Sequence, residues 1–295
     1  MRFGVVIPQA MRWNEWLSQL QWAEQVGYDV GYDYDHLTHP TVSGQWLGDG
    51  FGFLSAGAAS TERIEVGTLV ASATLHSPVA LARLAATVDE IAGGRFVLGL
   101  GAGSPRCAAA DRDESPSPGQ MADRFADVVE GDRAVLAGAT EWQGTTRGFR
   151  GLETAPLPAG SGSPFLMLAA HGPRAIGLAV RHGDGWNTYG GPAAVQLAAE
   201  DYWRVISEQV AAVDAECATQ GRDPASLRRS LLVGYGAVRP TESVPAFTET
   251  AERAAQLGFD ELNVYAPAGA PGDRFYSDPH THERALDALR GQGVS

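Results

Sequence analysis

The chain has 295 residues, 44% hydrophobic and 19% charged, which is enough apolar material for a large buried core and excludes a wholly disordered polypeptide. A formal charge of −13 and a pI near 4.9 oppose binding to nucleic acid or to anionic membrane. All 22 basic side chains are arginine, so Schiff-base chemistry and lysine-held phosphates are excluded, and any anion must be met by arginine, backbone N–H groups or helix N-termini.

In chain order, short apolar runs occur at residues 3–8 (FGVVIP), 28–32 (YDVGY), 64–70 (IEVGTLV), 95–101 (RFVLGLG), 165–170 (FLMLAA), 184–189 (DGWNTY), 231–238 (LLVGYGAV) and 261–267 (ELNVYAP). Their hydrophobicity is continuous rather than alternating, as in parallel strands buried on both faces. Helical spacing covers residues 15–26, with Gly27 placed as a left-handed C-cap, and 78–91, opened by Ser77 and Pro78 and closed by Gly93 and Gly94. Further helices are expected at about 119–137, 173–182, 192–220, 243–257 and 281–290. Eight strand and helix alternations without a composition break predict one α/β domain over residues 1–295, a (β/α)8 TIM barrel, with an open doubly wound sheet as the rival. Polar, proline-rich residues 108–119 read as a mobile surface loop placed where it could act as a lid.

In a barrel, loops at the C-terminal ends of strands carry the chemistry. The second strand is followed by Asp35, His36 and His39. A histidine there exchanges protons near neutral pH, and the neighbouring carboxylate orients it or accepts from a ring; the plainer reading is a capped, solvated loop. Small residues 71–73 after the third strand would let a flat ring approach the backbone. Gly99, Gly101 and Gly103, the last two flanking Ala102, give GxGxG at the end of the fourth strand, which does not match a dinucleotide fingerprint and more simply opens space for a ligand. His171, Gly172, Pro173 and Arg174 put a helix start beside a guanidinium, an anion cradle or an ordinary helix start. Trp186 ends the sixth strand, facing either the site or the core. Cys107 and Cys217 fit no redox or zinc pattern and read as spectators. No apolar run approaches about 18 residues and no signal-peptide core opens the chain, so a cytoplasmic protein is expected.

Together, FGVVIPQ, the DH dipeptide, EVGTLVASATLHSPVALARLAATVDEIAGGRFVLGLGAGSP, Arg124 in a helix and AAHGPRAIGLAVRHGDGWNT resemble the luciferase-like family of flavin- and deazaflavin-dependent oxidoreductases. The resemblance implies a barrel that binds coenzyme F420, or alternatively FMN, and a homodimer acting on a small organic molecule. It places Asp35 and His36 beside the deazaflavin ring, with His36 the candidate acid or base. It puts a non-prolyl cis peptide behind the ring near Thr68, Leu69 and Val70, and the cofactor phosphate at His171, Gly172 and Arg174. Members that oxidise a sugar phosphate carry an acidic residue after the glycine run, a tryptophan after DH and phosphate-gripping lysines. Here Ser104 and residues 37–40 (LTHP) occupy those places and lysine is absent, so sugar-phosphate oxidation is not implied. The alternatives are an FMN-dependent monooxygenase of the same family and a deazaflavin-binding protein without turnover.

Overall fold

The computed structural model describes residues 1–38, 44–112, 115–154, 162–267 and 276–291. Its strands are β1 (Arg2–Val6), β2 (Val30–Asp33), β3 (Glu65–Thr68), β4 (Ala71–Ser72), β5 (Phe96–Gly101), β6 (Trp142–Gln143), β7 (Gly148–Phe149), β8 (Phe165–Ala169), β9 (Gly185–Thr188), β10 (Arg228–Leu232) and β11 (Glu261–Tyr265). In the large sheet β3, β2, β1, β11, β10, β9, β8 and β5 pair side by side in parallel, and β3 also pairs with β5, so eight strands close into a barrel. The short β4 runs on from β3 along β5, and β6 and β7 form a separate antiparallel hairpin. The open-sheet rival is thereby excluded.

Helices α1 (Trp13–Val26), α2 (Gly50–Ala58), α3 (Pro78–Ala92), α4 (Pro105–Arg112), α5 (Pro118–Leu136), α6 (Pro173–His182), α7 (Ala199–Gln220), α8 (Val244–Gln256) and α9 (Pro279–Gly291) lie between the strands. Local chemistry sets their ends. Ser77 accepts from the Ala80 N–H to start α3, and Gly27 closes α1 at φ 93°. Two helices were not expected. In α2 three glycines lower helix propensity, yet Asp49 caps it, and a Cβ on Gly57 would lie 2.7 Å from Leu20 and 2.8 Å from Trp16. Close approach to α1 therefore selects glycine over a better helix former. The stretch expected as a mobile loop at 108–119 begins inside α4 and ends inside α5, and residues 113–114 lie outside the described residues.

Two further boundaries differ. The expected helix at 192–220 begins only at Ala199, because Ala198 is extended and Ala194–Gln196 form a single tight turn. The seventh barrel strand spans Arg228–Leu232 rather than 231–238. Its charged start is tolerated because Arg228 stacks 4.0 Å over Phe165 and reaches Glu65, while Arg229 pairs with Asp214.

A large apolar layer fills the space between sheet and helices, and a smaller one of Val6, Val30, Tyr32, Leu69, Val97, Met167, Leu232 and Tyr265 fills the barrel interior. Below it lies a polar layer. The fully buried Glu261 accepts from Tyr32 Oη at 3.0 Å, Ser230 Oγ at 3.0 Å and Asn263 Nδ2 at 3.1 Å, with Arg2 at 3.4 Å. Glu261→Ala removes the acceptor that these donors share. It is expected to cost about 3–5 kcal/mol, read as a lower denaturant midpoint with unchanged slope.

Candidate functional site

The upper end of the barrel interior is closed by Tyr34, Val70, Tyr189 and Tyr235, partly buried against the inner layer. Each tyrosine stands at or just beyond a strand end, on the loop face of the barrel. Tyr34 Oη bonds to Tyr265 Oη and lies 3.2 Å from Tyr235 Oη. The Tyr235 ring meets Tyr265 edge-on at 5.2 Å and lies 5.9 Å from Tyr189. Burial first, then the neighbouring phenols, holds Tyr34 and Tyr265 well above the ordinary phenol range. Both stay protonated and able to donate. Sequence reading missed this cluster; the available signal was an aromatic side chain at the C-terminal end of four barrel strands.

Asp35 is buried beside it. Its Oδ2 accepts from the Ser72 N–H at 3.1 Å and contacts His76 Nε2 at 2.7 Å, while Oδ1 takes no bond among the described residues. The small Ala71 and Ser72 thus matter as a backbone donor as well as for space. His36 is fixed through its backbone: its N–H donates to Gln9 Oε1 at 3.0 Å, and its carbonyl accepts from Gln9 Nε2 at 3.2 Å. Its ring packs 5.2 Å from Tyr34, and Nδ1 lies 3.7 Å from Cys107 Sγ. Cys107 was expected to be a spectator and instead touches the candidate acid or base. Cys217 is buried under the helices. His39 lies outside the described residues.

The Leu69–Val70 peptide is cis, where the resemblance had put such a bond. Leu69 belongs to the barrel interior and Val70 to its upper edge. A Cβ on Gly101 would come 2.7 Å from Val70 Cγ2, so only glycine lets β5 pass this bulge. Thr68 is turned the other way, its hydroxyl donating to the Gly99 carbonyl at 2.7 Å. Gly103 turns the chain at φ 87°. Ala102 and Arg174 line a separate cavity of 270 Å³ with Phe125 and Ala175, beside the start of α6.

At that helix start Gly172 is open, with no atom within 4 Å of where a Cβ would sit, and the first turn of a helix offers N–H groups without intrahelical partners. The Arg174 guanidinium is an exposed ion pair with Asp123 at 2.5 Å. His171 Nδ1 lies 3.0 Å from Thr188 Oγ1, which donates to Gln209 Oε1 at 2.6 Å and accepts from the Gly190 N–H at 2.9 Å. Gln209 Nε2 donates to the Gly190 carbonyl at 3.0 Å. Burial pulls His171 down to about 4, so its imidazole is neutral at pH 7. Trp186 does not face the mouth. It is fully buried outside the barrel, donating to the Ala170 carbonyl at 2.9 Å and stacking on Phe259, because Asn187, its neighbour on the strand, takes the inward position. No helix among the described residues is long and apolar enough to cross a membrane.

Residues 1–244 match the family described as luciferase-like monooxygenase. The F420-dependent glucose-6-phosphate dehydrogenase of Beutenbergia cavernae is 32% identical over 171 residues, 56% of this chain and 49% of that protein. The 5,10-methylenetetrahydromethanopterin reductase of Archaeoglobus fulgidus is 29% identical over 186 residues, 63% of this chain and 52% of that protein. The chain thus spans about half the length of these curated relatives. A solved F420-dependent secondary alcohol dehydrogenase, in complex with an F420-acetone adduct, matches with a TM-score of 0.78 over 98% of this chain and 97% of that one. At 15% identity that likeness shows the fold.

Proposed function

The chain belongs to the luciferase-like monooxygenase family, and from that premise we propose that it is an F420-dependent oxidoreductase moving a hydride between the deazaflavin and a small organic substrate. The observation that carries this reading is the Asp35 and His36 pair at the barrel mouth, with Asp35 held through Oδ2 by Ser72 and His76 and its Oδ1 open to a donor. The residues present suit such a coenzyme. Leu69 and Val70 back a flat ring, Asp35 accepts from it, and the open Gly172 at the start of α6 leaves room for a phosphate on the backbone. The coenzyme, when bound, supplies or takes up the hydride.

The protein's own contribution is orientation and proton handling. Asp35 is preorganised by two donors, so it meets a ligand N–H without rearranging. His36, fixed at both backbone atoms by Gln9, presents its imidazole to the substrate and exchanges the proton that accompanies hydride transfer. The tyrosine cluster offers neutral donors to a substrate oxygen. In this reading residues 1–295 are one barrel domain that works as a homodimer in the cytoplasm.

Titration of the purified chain with coenzyme F420 and with FMN, followed by fluorescence, tests the proposal. Micromolar binding of F420 with weaker binding of FMN is expected, together with exchange of the coenzyme's transferable hydrogen in the presence of substrate. Binding of FMN alone, or of neither, rejects it.

A further inference from the structure

Cys107 is the third residue of α4 and fully buried. Its Sγ lies 3.7 Å from His36 Nδ1 and 3.7 Å from the Thr38 carbonyl oxygen. Its backbone N–H donates to Ser104 Oγ at 3.1 Å, so the turn between β5 and α4 fixes where the sulfur sits. Asp35, although adjacent to His36 in the chain, directs Oδ2 to Ser72 and His76. The thiol is therefore an acidic side chain placed against the Nδ1 edge of the imidazole.

We propose that Cys107 is the positioning acid of His36: the proton of Sγ passes to Nδ1, the S–H bond breaking as the N–H bond forms, and the resulting thiolate accepts a hydrogen bond from that N–H. Charge and atoms balance within the pair, and no outside reactant is needed. Held in this way, the imidazolium turns its Nε2–H to the ligand and delivers that proton to a substrate oxygen. This deepens the hydride-transfer reading and depends on it only for its catalytic consequence.

The surroundings favour the thiolate form of Cys107. Burial opposes ionisation of the thiol, but hydrogen bonds with His36, Ser104 and the backbone at Thr38 and Leu37 outweigh it and bring Cys107 down to about 6. The N-terminal turn of α4 adds its positive dipole end. Among the described residues the titratable groups near the pair include Asp35, His76 bound to it, and Tyr34, whose ring lies 5.2 Å from the imidazole; on α4 itself, Arg106 and Asp111 are exposed. Asp35 acts against a second negative charge, and its contact with His76 limits that opposition.

The test is the ultraviolet thiolate band of the whole chain without coenzyme, taken as the difference between the native protein and Cys107→Ala. A midpoint near pH 6 is expected. In His36→Ala the midpoint should rise by about two pH units toward the free-thiol value of about 8.5. A native midpoint above roughly 8, or one that His36→Ala leaves in place, overturns the pairing. With coenzyme and substrate, Cys107→Ala should lower kcat by about 100-fold at unchanged KM and abolish the acid limb of the pH profile. Cys107→Asp, close in volume, should recover most of that loss and move the limb to lower pH. If the alanine variant misfolds, Cys107→Ser replaces it. An unaltered pH profile in the alanine or serine variant shows that the sulfur only fills space and overturns the proposal. The thiol titration needs no coenzyme, so failure of F420 binding beside an intact titration rejects the functional reading and leaves the pair standing.

Discussion

His36→Ala is expected to slow turnover by about 10²- to 10⁴-fold, the usual range for removing a positioned proton-transfer group. Coenzyme affinity should change less than about tenfold, since alanine keeps the backbone N–H and carbonyl that Gln9 holds. Loss of activity and loss of binding thus separate in one variant. Steady-state kinetics beside a binding titration reads both, and equal activity in native and variant protein removes His36 from the mechanism. Asp35→Ala should show the opposite pattern. It strips the carboxylate from the site and leaves the Ser72 N–H and His76 without their acceptor, so binding weakens along with turnover.

Asp132→Asn is expected to stabilise the fold by up to about 4 kcal/mol at pH 8 and by almost nothing near pH 4. Asp132 on α5 is 1% exposed, and among the described residues neither carboxyl oxygen takes a hydrogen bond. Desolvation raises it to about 7, with nearby Arg133 pulling the other way. Below the unfolded value of about 3.9 both states hold the proton and no penalty exists. Between about 4 and about 7 the unfolded chain ionises freely while the native carboxyl keeps its proton, so stability falls as pH rises and levels off above the folded value. The amide has the same shape and cannot ionise, which removes that slope. Denaturant unfolding of both proteins at the two pH values measures it, and a gain independent of pH would show that ionisation is not the cause.

The barrel was legible because its strands are continuous apolar runs and its main helices carry their own punctuation, such as Ser77, Pro78 and Gly93 around α3. What escaped depends on distant partners. Arg228 and Arg229 look unlike strand residues until Phe165, Glu65 and Asp214 are brought beside them. The glycines of α2 look like a loop until Trp16 and Leu20 are packed on Gly57. In the site, the DH pair was readable from its place after β2. Cys107 was not, because it meets His36 across 71 positions of sequence only when α4 folds back over the mouth. His76 was passed over in favour of the serine and proline that follow it, and its bond to Asp35 spans 41 positions. Trp186 was placed on the right strand, and the pleat decided its face.

The chain of bonds from Gln209 to His171 fixes a tautomer. Because Gln209 Nε2 donates to the Gly190 carbonyl, its Oε1 must be the acceptor for the single Thr188 hydroxyl proton. Thr188 then has nothing left to give His171, so Nδ1 carries the imidazole's hydrogen and Nε2 bears a bare lone pair. A phosphate oxygen, itself only an acceptor, gains nothing from that nitrogen and must rely on main-chain amides. A ligand hydroxyl, which can donate, does gain, so His171 and the main-chain amides of α6 meet different groups of one ligand.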